Sequence, residues 1–270
     1  MPTTKKKIIK KEAEVKKQEE PEEAPQTIEP LDIESTKLDI EPVKNWTPKT
    51  ELGKKVQAGE IKDIDEILDN GITILEQEIV DSLLQTESEL LLIGQAKGKF
   101  GGGQRRVFRQ TQKKTREGNK PKFTTVAVVG NGNGYIGIGI GKSKETVPAR
   151  EKALKNAKLN IFKINRGNGS WESHSKDPTS IPYTVSGKCG SVILTLKPAP
   201  KGKGLIIEKE CAKILKLAGI KDVWSKTYGQ TKTKINLIKA CMKALRQLIT
   251  IKVRPEVNDK LGIVEGKIGN

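Results

Sequence analysis

The chain has 270 residues, 34% apolar and only 4% aromatic, with 50 Lys and Arg against 33 Asp and Glu, a formal net charge of +17. That length suits one large or two ordinary domains. The charge points to a polyanion held through phosphate, sugar and shape more than by stacking. Three scattered cysteines without a C-x-x-C pair, and the single His174 in a polar stretch, do not support a zinc site or a catalytic base.

The charge is unevenly divided. Residues 1–98 hold 14 Lys and 22 acids, a net of −8, while residues 99–270 hold 36 basic and 11 acidic residues, a net of +25. No signal peptide and no membrane-spanning run stands out, and the sparse cysteines fit a reducing, cytoplasmic compartment.

Residues 1–44 read as a charged, disordered tail of Lys, Glu and Pro, unable to bury enough surface to offset its ordering entropy. Residues 45–98 read as a helical extension. It has a helix over 50–58 stopped by Gly59, a helical turn over 63–68 closed by Asn70-Gly71, and a helix over 76–84 with Ile79, Leu83 and Leu84 on one stripe.

Residues 99–166 read as strand, strand, strand, helix. Strands are predicted over 104–111, 123–129 and 135–142, the last two joined by an Asn/Gly turn at 130–134. Between the first two lies a basic loop. Arg105, Arg106, Arg109, Lys113, Lys114, Arg116, Lys120 and Lys122 crowd into 18 residues opposed only by Glu117. On the third strand Ile136, Ile138 and Ile140 share one face, while Tyr135, Gly137, Gly139 and Gly141 share the other. That bare backbone admits close approach by another surface. Thr146 or Ser143 is placed to cap a helix running to about Asn160. It turns Ala153, Leu154, Ala157 and Ile161 inward, and leaves Arg150, Lys152, Lys155 and Lys158 on the surface.

A loop-rich linker is expected over 167–182, and a second α+β unit over 183–250. Its predicted elements are strands at 183–185 and 191–196, a loop at 198–204, a helix over 205–217 ended by Gly219, a strand over 222–227 and a helix over 233–248. Cys211 and Cys241 sit on apolar helix faces as core filler, and 251–270 reads as a weakly ordered tail.

Three motifs imitate nucleotide sites. Gly132 to Gly137 matches G-x-G-x-x-G, but a strand follows it where a helix must stand. Gly141-Lys142-Ser143 resembles a P-loop ending, but Ile136 occupies the required glycine position. The loop 198–204, PAPKGKG, resembles a phosphate loop of small-molecule kinases, without the serines or metal-holding acids of an enzyme. A basic glycine loop at a helix N-terminus is an anion site; an ordinary strand-to-helix turn with two solvated lysines explains it equally well.

The runs RRVFR, TTVAVVGNGNGYIGIGIGKSKETVPAREKALKNAKLNIFKI, SIPYTVSGKCGSVILTLKPAPKGKGL and KLAGIKDVWSKTYGQTKT, in that order, closely resemble the universal S-five family of small-subunit ribosomal proteins. The opening WTPKTELGKKVQAGEIKDIDEIL is similar to the extension of its archaeal and eukaryotic branch, and W-S-K-T resembles the archaeal form. The resemblance implies an α+β fold: a double-stranded-RNA-binding-domain-like N-terminal domain, then a small α+β domain with a left-handed β-α-β crossover. It implies a non-catalytic protein without metal or cofactor in the small subunit. There it would bind rRNA, the S-four and S-eight neighbours, and messenger RNA where it enters, near the decoding region.

The RNA-binding candidates are the eight residues of the basic loop together with Asn131, Asn133, Lys142, Lys144, Lys201, Lys203, Lys226, Lys232 and Lys234. The protein interface carried over from the family falls at Lys188 and Ser191. The loop 110–122 departs from the family in length, and Lys203 stands where the family has Thr. An extraribosomal double-stranded-RNA binder is the competing binding protein. A phosphotransferase is the competing enzyme, and it lacks a metal-holding acid near Gly202 to Gly204.

Overall fold

The computed structural model describes residues 46–95, 105–169, 177–254, 258 and 261–266, all within one unit, Thr36–Asn270. The tail 1–44 and His174 lie outside the described residues. The elements, α+β in class, are α1 (Glu51–Ala58), α2 (Ile64–Asp69), α3 (Gln77–Leu83), β1 (Glu87–Leu90), β2 (Arg109–Thr115), β3 (Gly118–Gly130), β4 (Tyr135–Ser143), α4 (Thr146–Leu159), β5 (Ile161–Lys163), β6 (Asn165–Arg166), β7 (Val185–Cys189), β8 (Val192–Pro198), β9 (Leu205–Ile206), α5 (Lys209–Leu217), β10 (Val223–Tyr228), α6 (Lys234–Thr250) and β11 (Val264–Glu265).

The first helix follows its punctuation. The Thr50 hydroxyl accepts from Gly53 N at 3.1 Å, and Gly59 closes the helix at φ 79°. The first sheet is antiparallel in the order β1-β3-β4-β5, with β2 added beside β3. Its register sets Gly137, Gly139 and Gly141 opposite Val129, Ala127 and Thr125. A Cβ at Gly139 would run into the Ala153 carbonyl and the Ala157 amide, and Gly137 and Gly141 press likewise on Ala157 and Ala149. The bare glycine face is therefore the seat of α4, whose buried Ala149, Ala153 and Ala157 stack on it.

The opposite face of the same strands turns Val126, Val128 and Ile136 into a core shared with Leu194 and Leu196 of β8, Leu215 of α5 and Leu245 of α6. The second sheet has the order β7-β8-β10-β9. β9 and β10 run parallel, with α5 between them in the chain. Cys211 and Cys241 are buried in this core, and their hydrogen bond together with burial pushes the Cys211 thiol far up. They serve as packing groups.

The structure corrects several expectations. β1, whose ESEL sequence has no β-branched residue, lies in the segment read as helical, and its pairing with β3 supplies what propensity does not. The strand expected over 104–111 begins at Arg109 and continues to Thr115, because the basic loop is itself paired strand. Glu145, not Thr146 or Ser143, occupies the α4 cap position, and its side chain makes no capping bond. Lys158 is buried, 2.7 Å from Asp81, rather than on the surface.

Just before the linker, Asn165–Arg166 pairs with Val264–Glu265 from beyond Arg254, and within it Gly167 bridges to Ser180. The strand expected at 183–185 is Val185–Cys189. The helix expected from 205 starts at Lys209, because Leu205–Ile206 first pairs with β10.

Candidate nucleic-acid interface

β2 and the first residues of β3 form a two-stranded ribbon whose positions are almost all exposed. Phe108 packs edge-on against Phe123 at 5.6 Å and closes its base. At the tip the Thr115 hydroxyl donates to Gly118 O at 2.7 Å, and Gly118 takes φ 113°.

The register sorts the charges. Lys113 pairs with Lys120, Thr111 with Lys122 and Arg109 with Thr124, which in turn pairs with Lys142 of β4. Arg109, Lys113, Lys120, Lys122 and Lys142 therefore share one face. Lys113 and Lys120 stand directly opposite, an arrangement that disfavours the ribbon unless an anion covers it. Among the described residues Glu117 answers only Lys120, at 2.8 Å with both side chains exposed. Lys114 lies on the other face and Arg116 at the turn.

That basic face leads into a cleft of about 190 Å³ lined by Ile93, Gly94, Arg105, Arg109 and residues 232–235. Arg105 is half-buried there and donates to Gly94 O at 3.4 Å, while Arg106 is exposed and absent from the lining. The cleft opens on the N-terminus of α6, a 17-residue helix whose Thr233 makes no capping bond and whose first turn has no acid. The positive end of the helix thus adds to Arg105, Arg109 and Lys232. Lys234 is spent inside the protein, 2.5 Å from Glu208, which also caps α5 by accepting from Glu210 N at 3.0 Å and Cys211 N at 3.4 Å.

The remaining candidates lie elsewhere. Asn131 braces its own turn, its Oδ1 accepting from Asn133 N at 2.8 Å and Tyr135 N at 3.2 Å. That turn, with Asn133 exposed on it, is at the far end of β3 from the ribbon. Lys144 is exposed just past β4. Lys201 pairs with Asp177 at 2.6 Å, and Lys203 is exposed in the same turn. Because β9 intervenes before α5, and Glu208 fills the α5 N-terminus, loop 198–204 is not an anion site at a helix end.

Lys226, Lys188 and Ser191 belong to the second sheet. Its outward face aligns Ile206, Trp224 and Lys197 in one row, Lys226, Thr195 and Ser186 in the next, and Tyr228, Ile193 and Lys188 in a third. Lys226 lies 5.3 Å over the Tyr228 ring. Ile206, Trp224 and Tyr228 are exposed, and Ser191 marks the β7–β8 turn. Sequence reasoning passed over this aromatic pair because the strand expected over 222–227 stopped short of Tyr228; the observed Val223–Tyr228 strand places both on one face at i, i+4.

Two domain models of one family match the chain: ribosomal protein S5, N-terminal domain, over residues 107–165, and ribosomal protein S5, C-terminal domain, over residues 187–260. The small ribosomal subunit protein uS5 of Nanoarchaeum equitans is 48% identical over 229 residues, covering 84% of this chain and 98% of that protein. The chain belongs to the ribosomal protein S5 family. The small ribosomal subunit protein uS5 of Methanocaldococcus jannaschii is 44% identical over 84% of this chain and 98% of its own length. That of Staphylothermus marinus is 45% identical over 77% of this chain and 91% of its own length. Members of the ribosomal protein S5 family are structural rather than enzymatic, and the relatives are archaeal. None of the described helices is long and apolar enough to cross a membrane.

Proposed function

We propose that this protein is a structural component of the small ribosomal subunit that binds rRNA with the β2–β3 ribbon and the cleft at the α6 N-terminus. The cross-strand apposition of Lys113 and Lys120, beside Arg109 and Lys142, carries this reading. A ribbon so charged is stabilised by a polyanion, and its contacts go to phosphates. The sheet-and-helix packing of β1–β5 with α4 supports the likeness to a double-stranded-RNA-binding domain. The parallel β9 and β10 joined through α5 support a β-α-β crossover, whose left hand is what the family resemblance implies.

The mixed apolar and basic outer face of the second sheet, with Lys188 and Ser191 at its margin, supports docking of the S-four and S-eight neighbours. The ribbon would then reach towards entering messenger and the decoding region, so that the protein contributes to translational accuracy. An extraribosomal RNA binder would share the ribbon, but would not sediment with the subunit.

The test is sedimentation of the full chain with small subunits, paired with rRNA titration over a salt series. Reversal of Arg105 and Arg109 to Glu should weaken binding and lower the salt slope by about 2, roughly one unit per lost phosphate contact. An unchanged slope refutes the ribbon. Substitutions at Lys188 should change misreading more than assembly, and assembly failure with normal accuracy counts against that interface.

A further inference from the structure

A second, larger cleft of about 670 Å³ lies at the opposite end of β3. Its walls include Gly132, Arg166, Thr179, Gly202, Gly204, Gly219 and Lys221. Arg166 is only 2% exposed. Its Nη2 donates to Gly266 O at 3.0 Å, and its Nε has no partner. Among the described residues no carboxylate forms an ion pair with it. Burial pushes its pKa down, with only the Tyr135 phenol acting in the other direction.

A guanidinium remains charged in proteins, so this buried charge has no counter-ion among the described residues. Thr179, also more than nine-tenths buried and lining the same cleft, leaves its Oγ1 without a hydrogen-bond partner. The two carboxylates at the walls are committed elsewhere. Asp222 accepts from Gly204 N at 2.7 Å, and Asp177 is held by Lys201 at 2.6 Å, with Lys221 also drawing its pKa down. The free Arg166 and Thr179 donors suit an anion with several acceptor oxygens.

We propose that the Arg166 cleft is a phosphate site, separate from the basic ribbon, that takes the phosphate of a nucleotide unit. A planar guanidinium matches two phosphate oxygens at once. Left-handed glycines at 132, 202, 204 and 219 bring bare backbone to the walls, and the Thr179 hydroxyl supplies another donor. Lys221 and Lys201 lie among the lining residues, both exposed to solvent. The volume exceeds that of a phosphate alone and falls within the range of small-ligand pockets, leaving room for an attached ribose. The glycine loop 198–204 thus does meet an anion site, but through Arg166 rather than a helix end.

The natural source rests on the RNA-binding reading: a backbone phosphate of rRNA. A free mononucleotide has the same chemistry. The experiment is calorimetric titration of the full-length protein with inorganic phosphate and with AMP at low chloride, followed by competition with rRNA. One saturable site is expected, weakened roughly tenfold by Lys221→Glu and abolished by Arg166→Gln. Because Lys221 is exposed, its variant keeps the test valid if Arg166→Gln does not fold. Lys155 is exposed on α4 and outside the lining of either cleft, and Lys155→Glu should leave phosphate binding unchanged. Absence of saturable binding, or binding that Lys221→Glu does not alter, overturns the site. Competition by rRNA assigns the backbone as the source, whereas phosphate binding without competition assigns a free nucleotide, and the site stands in both. If rRNA fails to bind at all while phosphate binds, the RNA reading falls and this site remains.

Discussion

β3 is one unbroken strand with two different halves. Residues 118–122 are exposed and carry lysines, whereas 124–130 are buried between α4 on one face and the shared core on the other. The outer half pairs only with β2, whereas the inner half lies between β4 and β1. The inner half is specified by volume, since glycine on β4 and alanine on α4 are the sizes that fit. The outer half is specified by charge, and its neighbours tolerate almost any shape. Substitutions should therefore act on stability in one half and on binding in the other.

The strongest expected loss in the buried region comes from the Lys158–Asp81 pair, whose side chains are 7% and 6% exposed. Lys158→Ala leaves a buried carboxylate alone and should cost roughly 3–5 kcal/mol in denaturant unfolding, whereas changing both to apolar residues should recover most of it. Equal losses in the single and double variants would show that packing, not charge, is at stake.

Gly139→Ala comes next. Its methyl group meets α4 backbone that cannot swing aside, and roughly 1–3 kcal/mol of destabilisation is expected in the same assay. A neutral result would mean that α4 can lift off the sheet. On the ribbon, Lys113→Glu with Lys120→Glu should change stability by less than about 0.5 kcal/mol while clearly reducing rRNA affinity. Loss of folding there would erase the distinction between the halves.

The smallest effect concerns Glu210, buried in the shared core's border and accepting from Leu92 N at 2.8 Å. Burial pushes its carboxyl up, against the Leu92 hydrogen bond that favours the charged form. A carboxyl raised in the folded state gives most stability below its unfolded value and loses it as pH rises through the folded value. Glu210→Gln keeps an acceptor for Leu92. Its melting temperature should exceed that of the unsubstituted protein slightly at neutral pH, with the gap closing in acid. A gap that does not vary with pH would remove the burial explanation.

Much of this was legible in the sequence because period and punctuation are local. The Gly59 stop, the Asn131–Gly134 turn and the alternation of isoleucine with glycine on β4 all form as read. The ribbon was misread as a loop because Gln, Lys and Thr with a proline carry no apolar alternation; its pairing is visible only in register. Lys158 and Arg166 escaped for a different reason. A lone cation in sequence looks solvated, and burial depends on Asp81 or Gly266, 77 and 100 residues away. The eight cations of 105–122 were legible by density, but their sorting into faces was not.

The unbroken run of β3 also has a mechanical consequence. Six residue steps separate the tip at Gly118 from the first buried position at Thr124, an overhang of about 20 Å. The ribbon is a cantilever rooted in a sheet that is packed on both faces. Load applied at the tip is borne by strand pairing rather than by a slack tether, so a displacement there is delivered to the glycine–alanine seat of α4.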